Sequence, residues 1–216
     1  MTEESRLEKR KLLQDINLMG ADYYEKFYQQ TFLEWKKFVS GDRDIDRSII
    51  PRQVFDSWVS CAALGLDPFA NPDNEVLAGA LLQDLLATHG EFIDVSRPFM
   101  KNLYRFLEGS GFMVSLLNCK GYVLEIFGDP EEDRLVQTAR GYVGACWDLK
   151  NTGNNAASAV VLYKKPVQVF GAQHYVRMYH GATGCGSPIF SPEGQLLGCL
   201  VLFGRYYRAN PHTLGM

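Results

Sequence analysis

SPIFSPEGQLLGCLVLFG, residues 187–204, decides the fold. SPIF (187–190) is strand-like, SPEG (191–194) carries turn chemistry, and QLLGCLVLF (195–203) is a second strand closing a hairpin. A half-exposed strand alternates apolar and polar residues. The run 195–203 is apolar on both faces, so it must be central in its sheet and covered on both sides.

Further strands lie upstream. FMVSLLN (112–118) and YVLEIF (122–127) flank the turn NCKG and predict another hairpin, and VQVF (167–170) predicts a short strand. The first half reads as helix. From Glu4 to Val39, Leu12, Ile16, Met19, Tyr23 and Phe27 recur at helical spacing, and Phe32, Trp35 and Phe38 extend the stripe until SGDRD (40–44) breaks it. Helices are expected at Pro51–Leu64, Glu75–Thr88 and Asp94–Glu108, with DPFANPDN (67–74) as a turn-rich connection. Composition shifts at Gly109–Gly111. Asp129-Pro130-Glu131-Glu132 has the chemistry of a helix start, and Asn151–Tyr163 reads as a helix of small residues. The sum is an α+β fold: an antiparallel sheet flanked by helices, preceded by an N-terminal helical region.

Composition narrows function. The 216 residues are 46% hydrophobic and 22% charged, ordinary for a globular chain. A net charge of −3 gives no electrostatic footprint for nucleic acid, and the basic cluster EKRK (8–11) reads as a solvated helix face. Met1 is followed by TEESRLEKRK rather than a signal peptide, and no apolar run is long enough for a membrane span. The expectation is a cytoplasmic protein whose five cysteines are reduced thiols. The long N-terminal stripe must bury itself on the body of the protein or on a second copy, which makes a homodimer through residues 4–39 an expectation.

PRQVFDSWVSCAALGLDP (51–68) resembles the opening segment of AcoR-type bacterial transcriptional activators, in Arg52, Ser57-Trp58, Cys61 and Gly65-Leu66-Asp67-Pro68. GACWDLKNTGNNAASAVVLYKKPVQVFGAQHY (144–175) resembles their GAF sensory domain. The shared pattern is Gly144-Ala145-x-Trp147, Gly153-x-Asn155-Ala156 and Pro166-Val167-Gln168-Val169-x-Gly171-Ala172-x-His174. Residues 187–204 and 210–216 look like the closing strands and the start of the exit helix. The chain departs from the family at Gln173 (Glu in relatives), Asn154 (Thr), Ala182 (an aromatic) and Leu200–Gly204 (Leu-Asp-Leu-Ser-Gly). The resemblance implies a domain that binds a small effector and controls a downstream ATPase and a DNA-binding helix-turn-helix. No phosphate-binding Gly-x4-Gly-Lys-Ser/Thr loop occurs in this sequence, so the ATPase is not expected in this chain, and the net charge of −3 agrees with an expectation that it binds no nucleic acid itself. The implied organisation is an N-terminal amphipathic helix (1–47), a helical lead-in (48–108), the GAF domain (109–206) and the start of an exit helix (207–216).

GAQHYVRMYHGATGCGSPI (171–189) carries the candidate chemistry. His174 and His180 lie six residues apart, about 120° around a helix, so they do not form a helical metal pair, and no CxxC or HxxxH occurs. A Cys–His nucleophile can be drawn from Cys185 and either histidine, but it lacks a recognisable third group. No metal, cofactor or catalytic residue is expected. Cys61, Cys119 and Cys199 read as small buried hydrophobes. The remaining reading is a pocket, apolar and aromatic with a few polar anchors. Its candidate residues are Tyr122, Phe127, Trp147, Phe170, His174, Tyr175, Tyr179, His180 and Cys185, with Ala182 leaving extra room. Strand alternation sends Tyr122, Leu124 and Ile126 to one face and Val123, Glu125 and Phe127 to the other, and one of these faces should line the pocket. Two alternatives stand beside a sensor: an enzyme of the methionine sulfoxide reductase type, and a dimerisation scaffold without ligand.

Overall fold

The computed structural model describes residues 22–71, 74–128 and 141–208. The expected helix at Asp129, the exit helix and the first part of the N-terminal helix, with Leu12, Ile16 and Met19, lie outside the described residues. Helix α1 covers residues 22–39. It is followed by α2 (Arg52–Ala63), α3 (Gly79–Thr88), α4 (Gly90–Leu107), β1 (Met113–Asn118) and β2 (Val123–Phe127). Then come α5 (Leu149–Thr152), α6 (Ala156–Tyr163), β3 (Val167–Phe170), β4 (Ala182–Phe190) and β5 (Leu196–Arg205). The five strands form one sheet in the order β2-β1-β5-β4-β3, and every neighbouring pair is antiparallel. No described helix is long and apolar enough to cross a membrane.

The doubly apolar strand is central, as its sequence requires. β5 pairs with β1 on one side and β4 on the other. One face of the sheet carries Val114, Leu116, Leu124 and Leu202 against Ile93, Met100 and Leu107 of α4. The other carries Leu117, Val123, Cys199 and Val201 against Ala156, Ala157 and Val160 of α6.

Glycine sets how closely α6 approaches. A Cβ on Gly186 of β4 would lie 2.7 Å from Val160 Cγ2 and 3.0 Å from the Ala156 carbonyl oxygen. The expected helix 151–163 is two helices, because Gly153 adopts φ 73° and breaks it. Asn155 then restarts it: its side chain accepts from Ser158 N while Ser158 Oγ accepts from Asn155 N, a capping box. Two other boundaries move. The third helix begins at Gly79, since Val76 bridges to Ala145 instead. Helix α4 begins at Gly90 and runs through Pro98, whose missing N–H forfeits one intrahelical bond.

Helix α1 buries Tyr24, Trp35 and Phe38 on the body of the chain, while Tyr23 stays 64% exposed. Tyr24 and Phe27 pack on Phe170, Tyr28 stacks on Tyr206 at 4.8 Å, and Trp35 Nε1 donates to the Tyr175 carbonyl at 2.8 Å. Trp58 of α2 does the same to the Gln173 carbonyl, at 2.8 Å. One cysteine departs from expectation. Cys61 and Cys199 are buried, but Cys119 is exposed, because the β1–β2 turn that holds it projects from the sheet.

Gly186→Val should destabilise the chain by about 1–3 kcal/mol, as overpacking does. Asn155→Ala should cost about 0.5–2 kcal/mol through the lost cap. Urea denaturation should show lower midpoints with an unchanged slope for both variants.

Candidate functional site

Between the α6 face of the sheet and the connection from β3 to β4 lies a cavity of about 50 Å³. Its floor is Ser115 and Leu117 of β1, Val123 of β2 and Val201 and Phe203 of β5, and Ala156 and Ala157 form one wall. Trp147, His174 and Tyr179 close it, with Ala182 and Thr183 beside them.

A β-bulge decides which residues of β2 face inward. The register steps from Leu116↔Glu125 to Leu117↔Val123, leaving Leu124 extra. Val123 therefore shares the cavity face with Leu117, while Glu125 shares the α4 face with Leu116 and accepts from Arg97 Nε at 2.7 Å. The strict alternation expected from the sequence fails here, because two residues oppose one across the bulge.

Of the sequence-derived candidates, the fold brings Trp147, His174 and Tyr179 together on the cavity and sets the others elsewhere. Phe127, Phe170 and Cys185 belong to the cluster on the far side of the sheet. Cys185 sits next to Gly184, whose missing side chain points at α6, so alternation along β4 turns the thiol away from the cavity. Burial pushes that thiol up to about 11, and Cys185 lies across the sheet from the cavity that His174 lines. Tyr122 donates to Glu75 Oε2 at 2.7 Å, away from the cavity. Tyr175 and Tyr179 do not share a helical face. The backbone is extended at His174 and Val176 and turns into a 3-10 helix only at Arg177, so Tyr175 packs beside Phe38 and donates to the Leu66 carbonyl.

His180 also faces away from the cavity. Its ring stands edge-on to Trp35 at 4.6 Å, and Tyr28 and Phe32 of α1 complete its surroundings. The two histidines are linked through the backbone. His174 Nδ1 donates to the Gly171 carbonyl at 2.9 Å, which leaves Nε2 as the lone-pair nitrogen. His180 Nε2 donates to the His174 carbonyl at 3.1 Å, leaving Nδ1 buried without a partner. Burial lowers His174 to about 4 and His180 to about 3, so both rings are neutral at pH 7.

The cavity is mostly apolar, with Ser115, Asn155, His174 and Thr183 as polar side chains on its wall. Trp147 Nε1 and Tyr179 OH are both sealed from solvent and make no hydrogen bond. Burial raises the Tyr179 phenol, which therefore stays protonated. No Asp, Glu, Lys or Arg lines the cavity among the described residues. Nor do three His, Cys, Asp or Glu side chains converge there as a metal set. The sequence reading missed Ser115, Val201, Phe203 and the alanine pair. The small-residue run 156–159 opposite Gly184-x-Gly186 was the available signal for a helix packed close on a strand.

The depressed histidines tie stability to pH. Their folded pKa values lie below the ordinary 6.5, so their contribution is complete above pH 6.5 and is lost as pH falls toward about 4 and about 3. Unfolding free energy should drop by about 1.4 kcal/mol per pH unit for each histidine below pH 6. His174→Gln and His180→Phe should each flatten that slope in denaturation measured from pH 7 to 4.5.

No protein-family model matches the chain. It is 31% identical over 157 residues to the signal-transduction and transcriptional-control protein of Clostridium beijerinckii, a match covering 72% of this chain and 25% of that protein. It is 26% identical over 182 residues to the acetoin dehydrogenase operon transcriptional activator AcoR of Bacillus subtilis, covering 84% of this chain and 30% of that one. The chain thus spans between a quarter and a third of the length of these relatives. Among solved structures, the E. coli DhaR(N)–DhaL complex superposes with a TM-score of 0.71 over 76% of this chain and 55% of that one, at 15% identity, which is a likeness of fold. By its homologues the chain belongs with the AcoR-type bacterial transcriptional activators, and it carries the GAF-like α+β fold of a sensor domain.

Proposed function

We propose that the chain is the small-molecule-sensing domain of a bacterial transcriptional regulator, and that effector binding in the cavity controls a downstream ATPase and DNA-binding output. The observation that carries this reading is a mostly apolar cavity closed by Trp147, His174 and Tyr179, two of which hold a buried polar atom without a partner, Trp147 Nε1–H and Tyr179 OH. A buried donor without a partner costs about 1–3 kcal/mol, and a ligand oxygen would recover it. Trp147 and Tyr179 supply donors and His174 Nε2 an acceptor, which suits a carbonyl or hydroxyl group. Among the described residues no charged side chain lines the wall, which favours an uncharged effector. A water needs about 10–15 Å³ of such space, so a cavity of about 50 Å³ takes a molecule of only a few non-hydrogen atoms. One relative is named for an acetoin dehydrogenase operon, and hydroxyketones and diols of that size are the first compounds to screen.

The route out of the cavity runs through three consecutive carbonyls. Gln173 O accepts from Trp58 of α2 and from Asn154, His174 O from His180, and Tyr175 O from Trp35 of α1. An effector that moves the His174 or Tyr179 side chain therefore acts on the same short segment that anchors both helices. It shifts their arrangement by as much as its affinity differs between the two states.

A thermal-shift screen of small neutral metabolites should find a compound that raises the melting temperature. By calorimetry, Trp147→Phe and Tyr179→Phe should each weaken it roughly three- to tenfold, the worth of one hydrogen bond. Ala182→Trp should abolish binding while the protein stays folded. Unchanged affinity in all three variants would remove the cavity from the mechanism.

Trp35→Phe should keep the effector's affinity within about twofold but break its effect on α1. Hydrogen exchange of residues 28–36 should respond to the effector in the parent chain and not in the variant.

A further inference from the structure

One side chain fastens the end of the last strand to α1. β5 leaves the sheet at Arg205, and Tyr206 begins a short 3-10 turn, Tyr206–Arg208. The Tyr206 ring lies flat on Tyr28 of α1, with 4.8 Å between centroids and 7° between planes, and stands edge-on to Phe170 of β3 at 5.5 Å. Its hydroxyl donates to Glu25 Oε2 at 2.9 Å. Glu25 and Tyr28 are three residues apart, so Tyr206 grips two positions on one face of α1. Burial and that carboxylate raise the phenol to about 12, so the hydroxyl keeps its proton at neutral pH and stays a donor.

Both partners of this contact reach the cavity. Phe203, three residues before Tyr206, lies on the cavity floor and packs on Trp147, with ring centroids 6.2 Å apart. Ala182 also lines the cavity and pairs directly with Arg205, the residue before Tyr206. Gly184 faces α6, so alternation along β4 puts Ala182 on that same face. On the other partner, Tyr28 lies over the segment that closes the cavity. A Cβ on Gly171 would come within 2.8 Å of Tyr28 Cδ2, so a side chain there would push the ring away. Tyr28 also stands edge-on to the His180 ring at 6.5 Å.

Helix α1 is held unequally along its length. Its second half is anchored by Trp35 and Phe38, which are fully buried. Its first half leans on Phe170 and Tyr206 through Tyr24, Phe27 and Tyr28. We propose that the Tyr206–Tyr28 stack, with the Tyr206–Glu25 hydrogen bond, is a latch that holds the first half of α1 to the end of β5 and is released when the cavity is filled. A group in the cavity presses on Phe203 and Ala182, and through the ladder on the residue next to Tyr206. One aromatic pair and one hydrogen bond to an exposed carboxylate are weak enough for a small ligand to outweigh. The regulatory use of the latch rests on the sensing role proposed above, and it gives that site an output at residues 22–29, separate from the Trp35 anchor.

Hydrogen exchange of the full chain tests the latch without an effector, because Ala182→Trp fills the cavity with protein atoms and serves as the probe. Tyr206→Ala should speed exchange of the amides of residues 25–29 about tenfold. Tyr206→Phe, which keeps the ring and loses the bond to Glu25, should speed it about two- to threefold. Ala182→Trp should speed the same amides about threefold in the parent chain and add nothing in the Tyr206→Ala chain, since an open latch cannot be opened again. Exchange at 25–29 that ignores both Tyr206 changes overturns the latch. No response to Ala182→Trp, or effects of Ala182→Trp and Tyr206→Ala that simply multiply, overturns its link to the cavity. The effector reading fails separately, by a screen that finds no ligand.

Discussion

The carbonyls of Gln173, His174 and Tyr175 hold the molecule together. They are buried between β3 and β4, where no strand ladder runs to satisfy them, and an unmet buried carbonyl is costly. Two tryptophan N–H groups, an asparagine amide and a histidine N–H fill the need. Each donor comes from a different place in the chain: α1, α2, the loop before α6, and the turn that follows. The helices dock where they do because their indoles must reach this segment. The His180 bond among them fixes that ring's tautomer and ties the turn carrying Tyr179 back to this segment.

Two of the family departures fall on this segment. Gln173 stands where relatives have Glu, and its Oε1 accepts from Phe170 N at 2.9 Å in a fully packed setting. A neutral amide meets that bond without burying a charge. Asn154 stands where relatives have Thr. It donates to Gln173 O and accepts from Tyr175 N, a two-sided clasp that one hydroxyl could not span in the same way. Both residues therefore support the backbone of the cavity wall, while Ala182 lines the cavity itself.

The cavity and α4 lie on opposite faces of one sheet. Val201 and Phe203 of β5 face the cavity, and Leu202 between them faces α4. A single strand thus separates the cavity side from the α4 side. Tight packing makes such a layer respond in discrete rearrangements rather than by gradual deformation.

The sequence by itself determined the central strand, the two hairpins, the cap at Asn155 and the apolar stripe of α1. Each depends on neighbours along the chain: alternation, turn residues, a hydrogen bond three residues away, a repeat of three and four. It also offered Trp147, His174 and Tyr179 among nine pocket candidates, the first two in motifs that resemble a known sensor and Tyr179 in the aromatic and histidine mixture of 171–189. It could not separate these from Tyr175, His180 and Cys185, which sit among them in the same segment. That separation needed the tertiary structure. The bulge at Leu124 turned Val123 and Glu125 to opposite faces, alternation against Gly184 sent Cys185 to the far side, and the late start of the 3-10 turn split the two tyrosines. The tertiary structure also showed that Tyr24, Trp35 and Phe38 of α1 are covered while Val95, Phe99 and Phe106 of α4 are exposed. Periodicity reveals that a helix has an apolar face, but only packing decides which surface buries it.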